Sequence, residues 1–222
     1  MMRQSLSRSL AAEFLGTLLL LVAVVGSGIM AERLGSGNLA VALLANALAT
    51  GAALVVLITV LSPLSGAHFN PCVSLYAALR GEMPWRSAAL YIPVQFAAAV
   101  CGVWLTHAMF ALPLLQTSTH LRDGPAQWLA ETVATFGLLL TIAGAVRFKP
   151  DGTAMLVGLY ITGAYWFTAS TSFANPAVTV ARMLTDSFAG IAPGSAPGFI
   201  AAQLIATVAA LRLLPWLFKS SA

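Results

Sequence analysis

The chain has 222 residues, 59% of them apolar (Ala, Val, Ile, Leu, Met, Phe, Trp, Tyr, Cys) and 8% charged, with 11 basic and 7 acidic side chains and a net charge of +4. Soluble domains need about a quarter of their residues charged to cover their surface, so a soluble enzyme, a nucleic-acid-binding module and a disordered scaffold are excluded. The chain belongs in a bilayer.

A membrane span needs about 20 mostly apolar residues to cross a core of about 30 Å. The first candidate is residues 10–30, longer than the apolar region of a secretory signal and without a cleavage pattern, so it reads as a retained span. Residues 39–61, 87–110, 128–146, 153–168 and 198–217 supply five more, the fifth span being short. Six spans put both termini on one side. Arg3, Arg8, Arg80, Arg86, Arg147, Lys149 and Lys219 fall on that side, whereas Arg33, Arg122 and Arg182 fall opposite. The positive-inside rule makes both ends cytoplasmic, in a multi-pass protein of the cell membrane.

Two apolar segments are left over, one after the second span and one after the fifth. Each begins with Asn-Pro, an N-cap residue followed by proline at the first helical position: Asn70-Pro71-Cys72 and Asn175-Pro176-Ala177. Residues 71–80 and 176–185 predict two half-helices, each about 15 Å long and together about one hydrocarbon thickness. Entering from opposite sides, they meet at the midplane. The halves of the chain also match. Glu13 and Glu131 lie 118 apart, the Asn-Pro pairs 105 and Gln95 and Gln203 108. These nearly constant offsets mark a repeat of three spans plus one half-helix, residues 10–110 and about 128–218, within one domain spanning 1–222. An odd number of spans per copy inverts the second copy, which is a transport architecture.

The two half-helix tips present free N–H groups and positive dipole ends to one point, which repels cations. Asn70 and Asn175 are expected to cap with their carbonyls and leave their amide N–H₂ groups for a neutral hydroxylated solute. The unwound backbone before them, Gly66, Ala67 and His68 on one side and Ser172, Phe173 and Ala174 on the other, is tolerable in a membrane only beside a wet cavity, and supplies carbonyl acceptors.

The stretches AEFLGT, SGAHFNP and SFANPA resemble the aquaporin, or major intrinsic protein, family over nearly the whole chain. The resemblance implies an all-α membrane channel with six transmembrane helices and two half-helices, assembled as a homotetramer with one pore per subunit. It also implies that Glu13 and Glu131 support the pore loops. It implies no enzyme activity, no cofactor and no metal, and as partners only small neutral solutes and the lipid bilayer, with no nucleic acid. The two cysteines, Cys72 and Cys101, agree: both lie in apolar stretches with no metal-ligand spacing.

The departures from the family pattern are informative. Cys72 stands where alanine is usual, and Val178 stands where water-selective relatives carry an arginine. Matching the remaining outer-ring positions by spacing gives Thr50, Gly163 and Ser172, all small and uncharged, while Tyr160 and Phe167 beside Gly163 read as helix packing. Such a ring is wide and lacks its strongest fixed donor, which points to larger neutral solutes. The stretch AYWFTASTSFANPAVT is similar to the bacterial aquaglyceroporin branch found with arsenic-resistance genes. That likeness implies passage of arsenite and related trivalent or organic arsenicals besides glycerol and water. A water or glycerol pore with little metalloid flux, or a non-conducting structural membrane protein, are the alternatives. Cys72 reads as a packed small residue, and His68 as a residue that orders its loop.

Overall fold

A computed structural model describes residues 5–219; Arg3, counted above among the inner-side cations, lies outside them. The described residues are helical and contain no strand. In chain order the helices are α1 (Leu6–Leu34), α2 (Leu39–Ser65), α3 (Pro71–Leu79), α4 (Trp85–Met109), α5 (Pro125–Phe148), α6 (Thr153–Phe167), α7 (Pro176–Arg182) and α8 (Ala196–Leu217). Five of them are long and apolar enough to cross a membrane. With 15 residues, α6 spans only about 22 Å.

The two half-helices are shorter than the ten residues expected of each. α3 has 9 residues and α7 has 7. The reason lies just past each end. The amides of Glu82 and Met83 both turn back onto the Ala77 carbonyl, with Gly81 at φ 72° making the turn. After α7 the Leu184 amide bonds Ala181, and the Arg182 carbonyl is taken by the amide of Ile191, nine residues on. These bonds divert the chain from the α-helical ladder.

The packing follows the duplicated organisation. α1 lies against α2 and α4, α5 against α6 and α8, and α2 joins the halves through α6. Both half-helices pack between α4 and α8. Polarity is arranged inside out relative to a soluble protein. Glu13, Glu131, Gln95 and Gln203 are fully buried, while Leu129, Ile205 and Val208 are more than half exposed. Ordered polar groups fill the centre and the apolar side chains face outward, as a bilayer requires.

Close helix approach depends on small residues. A Cβ at Gly158 of α6 would lie 2.6 Å from the backbone oxygen of Gly51 of α2 and 2.5 Å from Val55, and a Cβ at Gly51 would strike Thr162. Gly158→Val is therefore expected to destabilise the protein by about 1–3 kcal/mol through overpacking. Thermal unfolding in detergent checks this, and an unchanged Tm refutes it.

Candidate functional site

The two Asn-Pro tips meet directly. Asn70 accepts the Cys72 amide with its side-chain oxygen at 2.9 Å, and Asn175 accepts those of Ala177 and Val178 at 3.0 and 3.3 Å. Both caps have the extended backbone of an N-cap residue. Their amide groups do not stay wholly free, as the sequence led us to expect. Asn70 Nδ2 donates to the carbonyl of Ala174 at 2.7 Å, and Asn175 Nδ2 donates to that of Phe69 at 2.8 Å. Each amide thus gives one N–H to the opposite loop and keeps one. Together the two crossed bonds clamp the tips.

Each loop is held by a buried carboxylate. Glu13 accepts the amides of His68 and Phe69, the hydroxyl of Ser65 and the side chain of Gln95, all at 2.7–2.9 Å. Glu131 accepts the amides of Phe173 and Ala174 and the side chain of Gln203 at 2.7–2.8 Å. The two glutamines reach onward to Ser74 and Thr179, each at 3.0 Å. His68 Nδ1 also meets Ser74 at 3.0 Å, which orders the loop. Gly16, in the AEFLGT stretch, leaves room for the Phe69 ring, since a Cβ there would run into it.

This support holds a strained backbone. Ala67 and Phe69 have φ of 51° and 49°, and the positions 105 later, Ser172 and Ala174, have 52° and 48°. Left-handed conformations in residues with a Cβ cost of order 1–3 kcal/mol each and persist only where surroundings enforce them. The carbonyls of Gly66, Ala67, His68, Ser172 and Phe173 accept no hydrogen bond from the described residues, and all five residues line a central cavity of about 770 Å³. Ala174 also lines it, but its carbonyl is the one that takes the Asn70 amide.

The cavity runs from Arg80 and Glu82 at one end, past Asn70 and Asn175, to Thr50, Tyr165, Val178 and Arg182 at the other. Pro71, Cys72, Pro176 and Ala177 are buried and do not line it, so the motif reaches the cavity through its asparagines alone. Of the expected outer ring, Thr50, Ser172 and Val178 line the cavity and Gly163 does not. The nearest outside atoms to Gly163 belong to Phe167. Tyr165, two residues on and 3% exposed, takes that place, with its hydroxyl 3.2 Å from Thr50 Oγ1. Two residues turn a helix through about 200°, so α6 presents the opposite side from the one expected. Tyr160 bonds the Ala134 carbonyl at 3.0 Å and packs α6 against α5, and Phe167 is exposed.

Nor is that end of the cavity free of charge. Arg182, counted by sequence among the outer-side cations and within the predicted second half-helix, is the last residue of α7 and 1% exposed. It lies four residues beyond Val178, on the same face of the helix. Its guanidinium carbon stands 3.4 Å from the centre of the Phe173 ring, and its Nε donates to the Ala189 carbonyl. Arg122, from the loop before α5, approaches the same ring at 5.3 Å and donates to the carbonyls of Gly190 and Phe188. Burial pushes the Arg122 guanidinium below its ordinary value, opposed by the fields of Tyr165 and Glu131. Position 182 was legible only as one turn past Val178; the pull toward Phe173 was not.

The family model for the major intrinsic protein matches residues 1–162. Aquaglyceroporin AqpS of Rhizobium meliloti (strain 1021) is 57% identical over 214 residues, 96% of this chain and 91% of that protein. The glycerol uptake facilitator protein of Streptococcus pneumoniae (strain ATCC BAA-255 / R6) is 33% identical over 175 residues, 69% of this chain and 72% of that protein. Among solved structures, that of the aquaglyceroporin from Plasmodium falciparum superposes with a TM-score of 0.75, covering 96% of this chain and 98% of the other at 22% identity, a likeness of fold.

Proposed function

The chain belongs to the major intrinsic protein family, whose members are membrane channels and not enzymes, and from that premise we propose that it passes trivalent metalloid acids such as arsenite, and related organic arsenicals, as well as glycerol and water. The coarser statement, a multi-pass membrane channel for glycerol and other small solutes, rests on the aquaglyceroporin relatives. The observation that carries the finer one is the wall of the cavity. One side offers the open carbonyls of the two loops, and the asparagine tips each offer one remaining N–H. A small neutral trihydroxide donates to the former and accepts from the latter, and undissociated arsenite presents the same hydroxyl pattern as glycerol. Val178 leaves the position after the second motif without a side chain that could close on such a solute. Flow is passive and follows the gradient.

Both termini are cytoplasmic in this reading, by the excess of basic residues on their side, and four chains assemble with one passage each. Tyr165 favours a second reading, a water and glycerol pore with little metalloid flux, because its ring stands where glycine was expected. Stopped-flow swelling of proteoliposomes in water, glycerol and arsenite gradients decides between them. Arsenite permeability comparable to that of glycerol is the expected result. Glycerol flux without arsenite flux supports the second reading and overturns the first.

A further inference from the structure

The stretch AEFLGT, residues 12–17, has a counterpart in AETVAT, residues 130–135, so a threonine follows each loop-supporting glutamate by one helical turn, on the same face of its helix. Thr17 and Thr135 are fully buried, and neither hydroxyl has a hydrogen-bond partner among the described residues. Other helical threonines behave differently. Thr59, Thr106, Thr141, Thr162 and Thr207 each donate to the carbonyl four residues earlier, the ordinary recourse of a hydroxyl inside a helix. The two that share a face with Glu13 and Glu131 forgo that bond.

A second orphan belongs to each carboxylate. Gln95 Nε2 is 2.8 Å from Glu13 and 3.0 Å from Ser74, and Gln203 Nε2 is 2.7 Å from Glu131 and 3.0 Å from Thr179. An ionised carboxylate only accepts, so it turns the nitrogen end of each amide towards itself. That leaves Gln95 Oε1 and Gln203 Oε1, both fully buried, as acceptors without a donor among the described residues. In each half one glutamate thus has an unpartnered hydroxyl one turn along its own helix and an unpartnered amide oxygen on the glutamine it binds. Buried polar groups are almost always paired, and four left unmade in one core would take a large part of a fold's stability. None of the four residues lines the central cavity, so the passage does not supply the partner.

We propose that each loop support holds one internal water, the first between Thr17 Oγ1 and Gln95 Oε1 and the second between Thr135 Oγ1 and Gln203 Oε1. Water is small enough to be enclosed there, accepts from the hydroxyl and donates to the amide oxygen. It thereby locks the amide whose nitrogen steadies the carboxylate, and through the carboxylate the strained loop. These two waters belong to the fold and are not transported, so the proposal goes beyond the channel reading and does not depend on it. The same pair of orphans occurs in both halves although the glutamines have different second partners, Ser74 and Thr179, which marks a site built twice.

The test is a structure of the full wild-type chain at a resolution that shows ordered water, together with melting curves of two variants in detergent. Density for a water at about 2.8 Å from both the threonine and the glutamine oxygen, in both halves, is the expected result. A half without it, its threonine hydroxyl turned back onto the carbonyl of Glu13 or Glu131, overturns the proposal. Thr17→Val and Thr135→Val keep the shape and remove the hydroxyl, so the sign of the change in Tm is informative. A hydroxyl bound to water predicts a Tm lower by about 3–6 °C in each variant, the scale of one hydrogen bond in a chain of this size. An orphaned hydroxyl predicts an equal or higher Tm, because valine removes a buried group that had no partner, and that result also overturns the proposal. Should the valine variants fail to insert, the wild-type density decides alone.

Discussion

Glu131→Gln is expected to abolish solute flux and to lower the unfolding temperature in detergent well below that of the wild type. The carboxylate accepts Phe173 N on one oxygen and Ala174 N and Gln203 Nε2 on the other. An amide side chain has one acceptor and turns N–H₂ toward groups that are themselves donors. At least one buried N–H is then left without a partner, at about 1–3 kcal/mol for each such group, and more where the lost acceptor was charged. The same carboxylate holds Ser172 and Ala174 in their left-handed conformations, so the strain of the loop is released once it goes. Asn70 then loses its fixed acceptor at Ala174, and the clamp between the two tips opens. Glu13→Gln should behave alike, because its bonds to His68, Phe69 and Gln95 repeat the pattern. A variant that melts like the wild type and still conducts glycerol would show that the loops are held by packing alone.

The second large effect is on selectivity. Val178→Arg should cut glycerol and arsenite permeability by more than about tenfold while leaving water within about twofold, since small pores discriminate by diameter and by fixed donors. Val178 lines the cavity and is 4% exposed, with Thr50 and Ser172 around the same end. A long guanidinium there has no pocket to retreat into, because the space over Phe173 is already taken by Arg182. It must therefore project into the passage, where only the smallest solute passes it. The two arginines at a four-residue spacing also repel one another. Swelling rates for the three solutes in one preparation check the prediction. Undiminished glycerol flux would mean that position 178 is not at the constriction.

Much of this architecture could be read from the chain. The excess of apolar residues, the paired Asn-Pro caps and the repeated Glu and Gln positions are local or periodic signals, and two copies of each lift them above coincidence. The extent of the half-helices was less legible. α3 ends where Glu82 and Met83 fold onto Ala77, and α7 ends where Ile191 returns to Arg182. Both events depend on residues beyond the segment they terminate, and the second on one nine residues further along. The crossed bonds of Asn70 and Asn175 were beyond reach for the same reason, since each partner belongs to the other half of the chain.

The sequence by itself determined that the chain lives in a bilayer, that it is built twice over, and that two capped short helices begin at the asparagines. These properties follow from hydropathy, spacing and cap chemistry, all of which act within a few residues. Only the tertiary structure decided which side chains reach the passage. Each residue turns a helix by about 100°, so a small error in rotation exchanges Gly163 for Tyr165. Arg182 is enclosed beside the outer end of the cavity because Phe173 and Ala189, brought alongside by the folded loops, receive its guanidinium.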